Sequence, residues 1–120
     1  MRIAVSSQGN DLDSAVDPRF GRAKFFIIYD TETKEFEAVT NEQNMFAAQG
    51  AGIQSAQTVV GQKVEVVVSG NLGPKAYATL SAAGIKAALW SEGTVAQAIA
   101  LLESGQLKPT EGANVRGHWM

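Results

Sequence analysis

The run Val64-Glu65-Val66-Val67-Val68 constrains the fold more than any other stretch of the chain. Four β-branched side chains in five residues favour extended, pleated backbone, and their near-continuous apolarity marks a buried strand. Such a strand needs cover, and the flanking segments have helical spacing. Upstream, Ile53, Ala56, Val59 and Val60 trace one apolar stripe, terminated by Gly61. Downstream, Ala76, Tyr77, Leu80 and Ala83 trace another. Pro74 suits its first turn, where a missing donor costs little, and Gly84 suits its end. Residues 85–90 form the next strand. Thr94 and Gln97 then stand at capping-box spacing before Val95, Ala98, Ile99 and Leu102, with Gly105 and Pro109 closing the helix.

The first half is strand-rich. Residues 2–5 make a short apolar strand, followed by a polar loop over 6–21. Lys24-Phe25-Phe26-Ile27-Ile28-Tyr29 and Glu35-Phe36-Glu37-Ala38-Val39 read as an antiparallel hairpin turned by residues 30–34. Short connections and right-handed crossovers then predict an α/β fold, a mixed sheet covered by helices. Because either half alone would have a thin core, a single domain over residues 1–105 is expected, with 106–120 a flexible tail.

Composition removes several functions. The 120 residues carry a net charge of −2, with no lysine or arginine run, so no nucleic-acid partner is expected. Cysteine is absent, which excludes disulfides, thiolate zinc sites and a cysteine nucleophile. The apolar start is too short for a signal peptide or a membrane span, so a cytoplasmic protein is expected. There is no serine elbow and no Walker loop, and the sole histidine, His118, has no triad context. No catalytic residue is assigned, and the chain is expected not to be an enzyme.

Four loops have the composition of a site. Asn10, Asp11, Asp13 and Asp17 are oxygen-rich, yet the calcium-hand register is incomplete and solvated turns explain these acids more economically. In Pro18-Arg19-Phe20-Gly21-Arg22-Ala23, Gly21 permits a close approach and Arg19 and Arg22 present donors suited to an anion. The same loop reads equally as an aromatic tether beside solvated or paired arginines. Gly50-Ala51-Gly52-Ile53-Gln54-Ser55 partly matches a dinucleotide-binding pattern, but no strand leads into it. Ser69-Gly70-Asn71-Leu72-Gly73-Pro74 links the valine strand to a helix. Ser69 and Asn71 supply polar groups there, while Gly70 and Gly73 bare the backbone at a helix start. A simple capped turn would use the same residues.

Taken in order, these segments resemble the dinitrogenase iron–molybdenum cofactor biosynthesis family. The likeness spans residues 1–118 and is carried by Arg2-Ile3-Ala4-Val5-Ser6, Asp17-Pro18-Arg19-Phe20-Gly21-Arg22-Ala23, Gly50-Ala51-Gly52-Ile53-Gln54 and Ser69-Gly70-Asn71-Leu72-Gly73-Pro74. Ala83-Gly84-Ile85-Lys86 and Gly117-His118 continue it. The resemblance implies a ribonuclease-H-like, three-layer fold with a mixed five-stranded sheet and flanking helices. It also implies a cavity for an anionic iron–sulfur or iron–molybdenum cofactor precursor, lined by Arg19, Gly21, Arg22, Ser69, Gly70, Asn71 and Gly73, with His118 as a metal ligand. Donor and acceptor proteins for that metallocofactor are the implied partners. Without cysteine the chain departs from relatives that hold clusters through thiolates. A non-catalytic carrier is therefore the expected function. The alternatives are a small-anion or nucleotide sensor and a metal-dependent hydrolase. The absence of a carboxylate from the first strand weighs against the hydrolase.

Overall fold

Strand β1 (Arg2–Ser7) is the centre of a five-stranded sheet ordered β3-β2-β1-β4-β5. The computed structural model describes residues 1–45 and 50–109. On one side of β1, β2 (Phe25–Asp30) and β3 (Phe36–Thr40) continue the sheet antiparallel. On the other, β4 (Val66–Ser69) and β5 (Lys86–Leu89) run parallel to it. Strands from both halves of the chain therefore pair in one sheet. Helix α1 (Glu42–Met45) is a single turn; α2 (Ala51–Val60), α3 (Pro74–Ala82) and α4 (Val95–Glu103) are the covering helices.

The strand pleat distributes successive side chains between two cores. Ala4, Phe26, Ile28 and Val67 meet Ala56 and Val59 of α2 and Ala76 and Leu80 of α3. On the opposite face, Ile3, Val5, Ile27 and Val68 meet Val95, Ala98, Ile99 and Leu102 of α4. The result is three layers, helix–sheet–helix. Each fully buried branched or aromatic side chain contributes about 1.5–3 kcal/mol, so β1, whose Ile3, Ala4 and Val5 are wholly buried, anchors both cores.

All five strands and the three longer helices form where the sequence pattern predicts them. Strand β1 runs to Ser7, beyond its apolar residues, because Ser6 and Ser7 pair with Phe26 and Phe25. Two small elements carry no periodic signal: a 3-10 turn over Phe20–Arg22, and α1. Hydrogen bonding holds the second region. Buried Asn41 donates its amide to the Ala23 carbonyl (2.9 Å) and accepts from Asn44 (2.9 Å) and the Ser55 hydroxyl (3.1 Å).

The hairpin turn is held by Asp30, whose carboxylate accepts the Glu32 N–H at 2.8 Å. That bond leads the contributions that hold the carboxyl below its usual range. Leu107 packs against the α4 core, and its N–H donates to Leu101 (3.0 Å). Residues 110–120, His118 included, lie outside the described residues. Among those described, no helix is long and apolar enough to cross a membrane.

Candidate functional site

The loop after β1 is stitched back onto the carboxyl ends of β1 and β4. Asp17 donates its N–H to the Ser6 carbonyl (2.8 Å), and its own carbonyl accepts the Ser6 hydroxyl (2.7 Å). The Ser69 hydroxyl lies 2.8 Å from that of Ser6, inside the protein. Next along the chain, Arg19 bridges to Asn71, and the Asn71 amide donates to the Pro18 carbonyl at 3.1 Å. Phe20 is buried against Phe26, with ring centroids 5.1 Å apart, and so anchors the loop.

Two glycines set how closely this wall fits its neighbours. A Cβ on Gly21 would lie 2.9 Å from the Gly52 nitrogen and 3.1 Å from its Cα, so the 3-10 turn meets the first turn of α2 backbone to backbone. A Cβ on Gly70 would lie 2.7 Å from Pro18 Cα and 2.5 Å from Ser91 Oγ. Neither place has room for a side chain.

What this wall encloses is an open cleft of about 700 Å³. Arg19, Phe20 and Gly21 form one side, Gly50, Gly52 and Ile53 of the α2 start a second, and Asn71 with Gly73-Pro74-Lys75-Ala76 of the α3 start a third. Both helices begin on glycine, with no side-chain cap and no acid in the first turn. Their first-turn N–H groups and positive dipole ends therefore favour a negative ligand. Arg19 and Lys75 add two cations, and among the described residues no carboxylate lines the cleft. Phe20, Ile53, Pro74 and Ala76 give it apolar surface.

The structure thus brings Arg19, Gly21, Asn71 and Gly73 together around one opening. It places the other expected residues elsewhere. The Ser69 hydroxyl is turned into the protein with Ser6, and Gly70 is wedged against Pro18 and Ser91. Arg22, half-buried at the end of the 3-10 turn, stands outside the lining and donates its backbone N–H to Arg19 at 3.3 Å. The reading of the sequence missed Lys75 and Ile53. Lysine immediately after Pro74 was the available signal, since a cation in a helix's first turn opposes the dipole unless an anion joins it.

The acidic loop resolves into local structure. Asp11 accepts the Asp13 N–H and the Ser14 hydroxyl, each at 3.0 Å, while Asp17 is buried and pairs with Arg19. Among the described residues, no three His, Cys, Asp or Glu side chains are grouped to hold a metal ion. Among the described residues the element before Gly50 is helix α1, not a strand, so no strand is seen leading into the partial dinucleotide pattern.

Known proteins share this fold. The apo form of the orange protein from Desulfovibrio gigas superimposes with a TM-score of 0.92 at 41% identity, over 95% of this chain and 96% of that one. A NifB-like Thermotoga protein, assigned to the DUF35 family, gives 0.82 at 40% identity over 97% and 98%. A Methanocaldococcus jannaschii protein is 29% identical over 114 residues, 92% of each chain. The family model described as dinitrogenase iron-molybdenum cofactor matches residues 1–105, and the chain belongs to that family.

Proposed function

We propose that the chain is a non-catalytic carrier for an anionic metallocofactor precursor, of the iron–sulfur or iron–molybdenum kind, held in the cleft. One observation carries this reading: two helix starts on glycine, Arg19 and Lys75 converge on a single opening that, among the described residues, no carboxylate lines. The family name supplies the cargo class. With no cysteine in the chain, protein thiolates cannot ligate such a cluster. The cargo is instead held from outside, by charge-assisted hydrogen bonds from backbone N–H groups, Arg19 and Lys75. Phe20, Ile53, Pro74 and Ala76 exclude water beside it, which strengthens those bonds. Release follows when an acceptor protein supplies stronger ligands, and a donor protein loads the cleft by the reverse exchange.

The strand order β3-β2-β1-β4-β5, with β2 antiparallel, supports the ribonuclease-H-like topology implied by the resemblance. Topology of this kind does not carry nuclease chemistry. A cytoplasmic site of action belongs to the same proposal. So does His118, as the metal ligand supplied by the chain.

The test is anaerobic titration with a synthetic four-iron, four-sulfur cubane dianion capped by small thiolates, read by absorption and native mass spectrometry. Pyrophosphate is titrated in parallel. The carrier reading expects saturable, stoichiometric cluster uptake, and a changed cluster spectrum in His118→Ala. Saturation by pyrophosphate with no cluster uptake would overturn it and establish the sensor reading, because the same N–H groups and cations suit oxyanions.

A further inference from the structure

The carboxylate of Asp17 has no part in the cleft lining, yet its setting is unusual for an acid on a loop. Its side chain is 2% exposed, whereas that of Arg19, two residues on, is 62% exposed. Three donors from Arg19 converge on it: the backbone N–H on Oδ1 at 2.8 Å, Nε on Oδ1 at 3.3 Å and Nη2 on Oδ2 at 3.4 Å. A carboxylate is costly to bury unless paired in this way. The Asp17 backbone is itself tied to β1 through Ser6. A continuous chain of hydrogen bonds thus runs from the sheet, through Asp17, to an exposed guanidinium on the rim of the cleft.

That pairing is side-on. It occupies one edge of the planar fork, Nε and Nη2, and leaves Nη1 and the second Nη2 proton for another acceptor. Arg19 also borders a separate hollow of about 270 Å³, shared with Gln8, Asp17 and Lys24, into which an untethered side chain has room to turn. We infer that Asp17 is a positioning residue: it orients the Arg19 fork toward the anion in the main cleft and thereby sets the affinity without touching the cargo. The inference rests on the proposed function of that cleft.

Two effects of the carboxylate oppose each other. Orientation strengthens anion binding, while the negative charge weakens it. Salt separates them in part. At 0.5 M the screening length falls to about 4 Å, so the charge effect weakens across the open cleft while the geometry remains. The weakening is less than for a fully exposed acid, because Asp17 is buried. Asp17→Asn keeps the shape and an acceptor for the Arg19 backbone but cannot receive both Nε and Nη2.

The experiment titrates the same cubane dianion into wild type, Asp17→Asn, Arg19→Gln and the double variant, at low and high salt. Arg19 Nε–H exchange is followed by NMR in the cargo-free proteins. Asp17→Asn is expected to weaken uptake about fivefold at 0.5 M salt, with a smaller loss at low salt, and to add nothing in the Arg19→Gln background. Arg19 Nε–H exchange should be slow in wild type and fast in Asp17→Asn. Should Asp17→Asn melt early, Arg19→Lys serves instead, keeping the charge on an exposed residue while removing the fork, with the same expected loss of uptake. An equal loss in the Arg19→Gln background, unchanged Nε–H exchange, or full uptake by Arg19→Lys would each overturn the inference. A wild type that takes up no cluster, while Asp17→Asn still speeds the exchange, would sink the carrier reading and leave the positioning role standing.

Discussion

Helix α4 and the two helices at the cleft begin in opposite ways. Thr94 caps α4 by accepting the Gln97 N–H at 3.2 Å, and the Gln97 side chain accepts the Thr94 N–H at 2.8 Å, so donors at that end are satisfied within the chain. Helices α2 and α3 start on Gly50 and Gly73, which supply no capping side chain. A glycine N-cap is about a few tenths of a kcal/mol less stabilising than a threonine one, so the cleft side forgoes a little stability that the opposite face collects. Lys75 deepens the contrast, because its charge stands where the α3 dipole disfavours a cation. The lesson is that one helix start is closed by its own side chains, while on the proposed function the other two offer their backbone donors to a ligand.

The strongest way to break this contrast is to force the cleft apart. Gly21→Ala would push a methyl into the backbone of Gly52, which cannot yield as a flexible side chain would. Overpacking of this kind costs about 1–3 kcal/mol, and the displaced Arg19 wall should lower cluster uptake by more than about tenfold. Thermal melts and titrations together check both parts. A neutral outcome in uptake would mean that this wall does not touch cargo.

Next in size, Lys75→Glu should separate stability from binding. An acid in the first turn of α3 is expected to stabilise the helix by about 0.3–1 kcal/mol, while reversing a cleft charge should weaken anion uptake about tenfold. Uptake and melting temperature would move in opposite directions. Parallel movement would deny the cleft its anionic cargo.

Gly73→Ser converts α3 to the α4 design. Nothing lies within 4 Å of a Cβ there, and the extended φ of −70° suits serine. Stability should rise by a few tenths of a kcal/mol, while the new hydroxyl competes for the N–H groups and lowers uptake about threefold. The smallest effect on uptake belongs to Thr94→Ala. That change should cost about 1 kcal/mol in a denaturant melt yet leave the titration curve where it is. Altered uptake in this variant would blur the distinction between the two helix starts.

The main elements were legible because burial imposes a period. Val66, Val67 and Val68 could only be a strand, and Ala98, Ile99 and Leu102 only a helix stripe, since each must reach a core already fixed in direction. Residues 20–22 and α1 were not legible, because their shape comes from distant hydrogen bonds, such as that from Asn41 to Ala23, rather than from local periodicity. The loops of the site were legible as loops. Arg19, Gly21, Asn71 and Gly73 do meet at the opening, but Ser69, Gly70 and Arg22, of the same residue types, are not among its lining residues. A loop motif records which groups are present; their direction depends on what packs behind them.

The sequence by itself determined the alternation of strands and helices, the capping box at Thr94, the absence of thiolates and the glycine-rich entries to two helices. Only the tertiary structure decided that those two entries border one cleft, together with Arg19. It also decided that Asp17, in the acidic loop after β1, is buried against Arg19 rather than offered to a cation. The physical reason is range. Periodicity and capping act within a few residues, whereas a site is assembled from segments some 50 positions apart, as in the 3.1 Å bond from Asn71 to Pro18, and chain packing alone sets that meeting.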